Sequence, residues 1–123
     1  MEWIFQPDLP IYTQLVAQMT QAILSGTYAP GARLPAVREL AAEAGVNPNT
    51  MQRAMAELEQ SGLIFSQRTS GRFVTEDESV IDGARERLAR RQVDAFWTSM
   101  ARLGYDRERT LQLLTQDEKE EDV

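Results

Sequence analysis

VNPNTMQRAMAELEQSGLI, residues 46–64, is the stretch on which the reading of this chain turns. Asn47 is of the type that caps a helix, because its side-chain oxygen can accept an amide hydrogen from the first turn. Pro48 at the first helical position wastes no donor, and Gly62 supplies the stop. Steps of about 100° per residue put Met51, Ala54, Met55 and Leu58 on one stripe. Asn49, Arg53, Ala56 and Gln60 fall on the opposite face, with Thr50 and Gln52 at its shoulders. A stripe of this kind fits any amphipathic helix with a solvated side. Two details favour a nucleic-acid face. The polar residues of the first two turns are Asn, Thr, Gln and Arg, all able to hydrogen-bond base edges or phosphates. The acids, Glu57 and Glu59, come only later, as suits a helix that enters a major groove by its positive N-terminal end. On this reading Arg53 reaches guanine or a phosphate, and Asn49 and Gln52 are candidates for adenine. Composition and spacing leave DNA binding and a plain solvated face both open.

Working outward, LPIYTQLVAQMTQAILSG (9–26) places Ile11, Leu15, Met19 and Ile23 at helical spacing, with Pro10 expected at the first helical position. TYAPGARLP (27–35) is turn chemistry: Pro30-Gly31 makes a tight turn and Leu34-Pro35 an extended pair. AVRELAAEAG (36–45) is a short helix with Val37, Leu40 and Ala41 inward, closed by Gly45. After Gly62, LIFSQ and RFVTE are strand-like runs around Arg68-Thr69-Ser70-Gly71, a hairpin with glycine at its tip. ESVIDG (78–83) reads as a polar break. A long helical pattern from about residue 84 to 103 then carries Leu88, Phe96, Met100 and Leu103 on one side, and Gly104 stops it. Asp106 can cap a last helix carrying Leu111 and Leu114, and the acidic tail is expected to fray. The fold expected is mainly α with a small β wing. A winged helix-turn-helix domain over residues 1–76 is followed by two C-terminal helices, a helical module with an acidic tail over 77–123.

The chain has 123 residues and neither cysteine nor histidine. Disulfides and thiolate chemistry are excluded, and the commonest general base and zinc ligands are missing. No glycine-rich phosphate loop or nucleophile elbow is present, so no enzyme is expected, and no cofactor or metal. No stretch approaches a membrane span of roughly 20 apolar residues, and MEWIFQPDLP lacks the make-up of a signal peptide, so a cytoplasmic location is expected. The net charge is −6, which by itself disfavours a nucleic-acid partner. Its distribution softens that objection. Residues 1–75 set five arginines against six carboxylates, whereas the remaining 48 residues set eight basic side chains against thirteen acidic ones.

GTYAPGARLPAVRELAAEAGVNPNTMQRAMAELEQSGLI, with PIYTQL before it and SGRFV after, closely resembles the DNA-binding domain of GntR-family bacterial transcription regulators over roughly residues 10–75. The tail, with Phe96-Trp97 and RLGYD at 102–106, resembles the small dimerisation module of the YtrA subfamily. The resemblance implies a homodimer on double-stranded DNA, acting as a repressor on a near-palindromic operator, of a kind often found beside transporter genes. It implies a phosphate or groove contact for Arg38 and a recognition-helix start at Asn47, Asn49, Thr50 and Arg53. It makes Ser70 and Gly71 the wing tip at a minor groove, flanked by Arg68 and Arg72 as phosphate or groove contacts. Some members carry arginines where this chain has Pro48 and Gln52, so their base contacts do not transfer. Ala36 stands where a serine often precedes the second helix.

Each feature has a plainer alternative. Arg38 could pair with Glu39 or Glu43, and Arg33 reads as structural or a peripheral phosphate contact. Trp3 and Phe5 read as an edge segment packed on the domain, with a partner subunit as the other option. Leu88, Phe96, Trp97, Met100, Leu103, Leu111 and Leu114 read as core or dimer interface rather than a small-molecule pocket, and no effector is identified. Glu76, Asp77, Glu78 and Asp82 read as a solvated acidic linker, and RERLARR (85–91) as a run of i, i+4 pairs. A reading of another class is a winged-helix protein-interaction module without DNA binding, which the acidic total mildly favours and the five arginines over the second helix, recognition helix and wing oppose.

Overall fold

In the computed structural model, which describes residues 1–121, the order is α1 (Ile11–Leu24), α2 (Val37–Ala44), α3 (Pro48–Ser61), β1 (Ile64–Gln67), β2 (Gly71–Val74), α4 (Glu78–Arg102) and α5 (Arg107–Glu121). This is a winged helix-turn-helix followed by two helices. The last two residues of the acidic tail lie outside the described residues, and α5 extends through most of the stretch expected to fray.

The capping chemistry of α3 is as the sequence dictates. The Asn47 side chain accepts the Asn49 amide at 2.8 Å, Pro48 opens the helix, and Gly62 closes it at φ +84°. Pro10 sits one position outside α1, as its N-cap, rather than in the first turn. The core is a single cluster. Leu15, Met19 and Ile23 of α1 meet Leu40 and Ala41 of α2 and Met51, Ala54, Met55 and Leu58 of α3. Leu63, Ile64 and Val74 seal it from the wing, and Ile81 and Ala84 from the start of α4. The chain divides into two compact units, Met1–Ala84 and the part from Arg85 onward.

Three features of this architecture were not expected. The hairpin β1–β2, antiparallel with Ile64 opposite Val74 and Gln67 opposite Gly71, gains a third partner in the GARLP segment. Arg33 bridges to Phe73, the Leu34 amide donates to the Arg72 carbonyl at 2.8 Å, and the Val74 amide donates to the Ala32 carbonyl at 2.9 Å. The stretch taken for a polar break is instead the start of α4. Asp77 accepts hydrogen bonds from the Ser79 amide (3.0 Å) and hydroxyl (2.6 Å), which caps the helix, and Ile81 and Ala84 turn into the core. These bonds to Ser79, above all the one from the hydroxyl, hold the Asp77 carboxyl below its usual pKa.

The third is the way the N-terminal segment, whose Trp3 and Phe5 pack on the domain as expected, is held by side chains of α1. The Ile4 amide donates to Gln18 Oε1 (3.1 Å) while Gln18 Nε2 donates back to the Ile4 carbonyl (2.6 Å). Gln14 makes the same pair with Gln6, at 2.7 and 3.0 Å. Two glutamines one helical turn apart thus act as the partner rungs of an extended strand. The spacing works because four helical residues rise about 6 Å and two strand residues about 6.6 Å. The alternate residues Trp3 and Phe5 stack on each other, centroids 6.1 Å apart, and pack against the core.

In the second unit, Gly104 turns the chain at φ +89° and Asp106 caps α5 by accepting the Arg109 amide at 2.9 Å. Thr110 is buried, its hydroxyl donating to the Asp106 carbonyl at 2.7 Å. Arg107 lies over the Trp97 ring at 4.6 Å and Arg109 over Tyr105 at 4.5 Å. Glu86 and Arg90 form one of the expected i, i+4 pairs at 3.1 Å.

Candidate nucleic-acid interface

The turn between α2 and α3 is made by Gly45 at φ +71° and by the Val46 amide, which donates back to the Ala41 carbonyl at 2.9 Å. That geometry lets Met51, Ala54, Met55 and Leu58 bury fully and rotates the opposite side of α3 outward. Asn49, Gln52, Arg53, Ala56 and Gln60 are exposed, Thr50 is half-buried, and the first turn contains no acid. Asn47 is exposed, but its carbonyl oxygen is committed to the cap, leaving only its amide nitrogen as a donor.

Of the two later acids on α3, Glu57 is exposed and Glu59 is drawn away from solvent toward the wing. Glu59 accepts a short hydrogen bond from the Ser66 hydroxyl and one from Arg72 Nε at 2.6 Å. The Ser66 bond first, then the Arg72 bond, holds its carboxyl below the ordinary glutamate range. The pair clips the late part of α3 to both strands of the wing. Arg72, expected to flank the wing tip as a phosphate contact, is therefore half-buried with its Nε engaged internally.

The other arginines are placed differently. Arg38 is exposed on α2 and forms no ion pair with Glu39 or Glu43. Glu43 instead accepts from Trp3 Nε1 at 3.1 Å and meets the terminal ammonium at 3.2 Å. Arg68 and Ser70 are exposed in the hairpin turn, and Gly71 follows at φ +103°. A Cβ on Gly71 would lie 3.2 Å from Arg33 Nε, so the bare glycine makes room for the Arg33 guanidinium beside the wing. Arg53 lies across the ring of Tyr12 on α1, its guanidinium carbon 3.8 Å from the centroid.

Sequence reasoning missed Tyr12 as a member of this surface, and it gave Arg33 as structural or a peripheral phosphate contact without its place beside the wing. The signal for Arg33 was present in the extended Leu34-Pro35 pair, which can serve as a strand. Tyr12 had none, because its meeting with Arg53 depends on how α1 packs on α3.

Of the residues expected to form a dimer surface in the second unit, Leu88, Trp97 and Met100 are half-buried. Phe96, Leu103, Leu111 and Leu114 are exposed, Leu103 by 72%. Among the described residues no helix is long and apolar enough to cross a membrane.

The family profile described as "Bacterial regulatory proteins, gntR family" matches residues 11–74. This span runs from the start of α1 to the end of β2. The chain belongs to the GntR family. It is 35% identical over 108 residues to the uncharacterized HTH-type transcriptional regulator YhcF of Bacillus subtilis strain 168, covering 88% of this chain and 89% of that protein. It is 36% identical over 97 residues to the HTH-type transcriptional repressor YtrA of the same organism, covering 74% and 75%, in keeping with the YtrA-type tail. A solved GntR family transcriptional regulator from Listeria monocytogenes superposes with a TM-score of 0.83 at 37% identity, covering 91% of this chain and 98% of that one. AraR(DBD), solved in complex with operator ORX1, aligns with a TM-score of 0.56 at 30% identity over 61% of this chain and 96% of its own. This GntR protein is thus a transcriptional regulator of the family and, like the relatives it matches, not an enzyme.

Proposed function

We propose that this GntR-family chain is a DNA-binding repressor that acts as a homodimer on a near-palindromic operator. The observation that carries the reading is the outward face of α3. Its first turns present Asn49, Gln52 and Arg53 with no acid among them, at the helix end where amide hydrogens and the dipole favour phosphate. Glu59, one of the two later acids of α3, is neutralised by the wing through Arg72. Arg38 on α2 and Arg33, Arg68 and Ser70 at the wing supply further donors, with Gly71 leaving room for the Arg33 guanidinium. Arg72 serves as a clip and only secondarily as a phosphate contact.

The AraR operator complex and the YtrA repressor name, each a property of that relative, support the same reading. The exposed apolar residues Phe96, Leu103, Leu111 and Leu114 of the second unit are the surface for a second copy. A two-fold pair would set two α3 helices about 34 Å apart, or a multiple of it, in successive major grooves. A transporter operon is the first regulatory target to examine.

Binding to the duplex upstream of its own gene, measured across a salt series, tests the proposal. Log affinity should fall steeply with log salt, by about 0.9 per phosphate neutralised, and Arg53→Ala and Arg38→Ala should each weaken it. No binding at low salt, or no effect of either substitution, would overturn it in favour of a protein-interaction module.

A further inference from the structure

We propose that Tyr12 of α1 is a positioning residue for the recognition of DNA, fixing the plane in which Arg53 presents its guanidinium. This rests on the reading of α3 as the helix that meets DNA. Arg53 is exposed on α3, yet its guanidinium carbon sits 3.8 Å from the Tyr12 centroid. A stack of this kind engages the face of the cation, whereas its hydrogen-bond donors all lie in its plane. The ring therefore takes nothing from the donor fork. It removes orientations in which the long side chain would lie back on the helix or trail in solvent, and a planar two-pronged donor must be so aligned to bridge the paired acceptors of a guanine edge.

The contrast with the neighbouring arginines is direct. Arg72 spends its Nε on Glu59, and Arg38 lies over no aromatic ring among the described residues. Arg53 is the member of this surface held by its face with its edge left open. Tyr12 is itself half-buried, on the helix that packs against α3.

The experiment compares the full chain with Tyr12→Phe, Tyr12→Leu, Arg53→Ala and the Tyr12→Leu/Arg53→Ala pair. Each is titrated with the duplex upstream of its own gene and with an unrelated duplex of equal length, and thermal melting of each variant is recorded alongside. Tyr12→Leu should weaken the specific duplex about 3- to 10-fold while leaving the unrelated duplex nearly unchanged. Tyr12→Phe should retain wild-type affinity, because the ring face is what holds the cation. In the Arg53→Ala background, Tyr12→Leu should cost nothing further. An equal loss in that background, an equal loss on both duplexes, or a loss that Phe does not rescue would overturn the proposal. Unchanged or tighter binding by Tyr12→Leu would overturn it too. Failure of the wild type to bind either duplex would sink the DNA-binding reading itself, a result distinct from failure of the Tyr12 series alone.

Discussion

The two units of this chain handle their apolar residues in opposite ways. In Met1–Ala84, three helices, the wing and the start of α4 converge so that Leu15, Met19, Leu40, Met51, Met55 and Val74 are wholly shielded within one molecule. From Arg85 onward, the one fully buried side chain among the described residues is Thr110. There Val93, Phe96, Leu103, Leu111, Leu113 and Leu114 all stay exposed, between 39% and 72%. Two helices joined by a short turn have too few facing sides to enclose such a set, so the first unit completes its core alone and the second invites another surface. The two parts of the chain differ in charge as well, near neutral before residue 76 and strongly acidic after it.

The sharpest way to break this comparison is to attack each unit in turn. Met55→Ala removes a side chain that is 0% exposed and should cost about 2–5 kcal/mol in urea denaturation, independent of protein concentration. A loss under 1 kcal/mol would mean that the first unit is not the self-contained core described. Leu111→Asp combined with Leu114→Asp, at positions 51% and 46% exposed, should leave the first unit folded. It should weaken self-association about 10- to 100-fold in sedimentation equilibrium. An unchanged association constant would remove α5 from the proposed contact between two copies.

Smaller effects sharpen the picture within the first unit. Glu59→Gln should lower stability at pH 7 by about 1 kcal/mol, since it weakens a charge-assisted clip to a half-buried arginine. The folded carboxyl of Glu59 lies below its usual value of 4.5, so its contribution is complete above that pH and is lost as pH falls through the folded value. The wild-type advantage should therefore be flat near neutrality and vanish in acid, and an advantage that grew on acidification would contradict the clip. Gly62→Ala should cost about 0.5–1 kcal/mol. The nearest atom to an added Cβ is Val80 Cγ1 at 3.8 Å, so space is ample and only the φ of +84° opposes the change. Urea midpoints for Gly62→Ala and Met55→Ala on one plot would separate backbone strain from core loss.

What could be read from the sequence was what is local along it. The Asn47 cap, Pro48, the stripe of Met51, Met55 and Leu58 and the Gly62 stop each depend on neighbours within one or two turns, and all stand in the structure. The outward set Asn49, Gln52 and Arg53 follows from the same geometry. The parts that were hidden depend on residues far apart in the chain. The pairing of Arg33 with Phe73, the bond from Arg72 to Glu59 and the stack of Arg53 on Tyr12 all need the assembled core before they exist. The start of α4 was hidden for another reason. Asp77 and Ser79 look like loop residues by composition, whereas in the structure Asp77 caps the helix and Ile81 and Ala84 turn into the core.

The glutamine rungs of α1 have one more consequence. A strand shifted by a single residue turns every side chain to the other face. Because Gln14 and Gln18 grip the main chain at Gln6 and Ile4 specifically, they decide that Trp3 and Phe5, rather than Ile4 and Gln6, meet the core. The helix thus acts as a ruler for the segment that precedes it. The two glutamines measure the same spacing, and the bond from Trp3 Nε1 to Glu43 holds the same alignment from the other face of the segment.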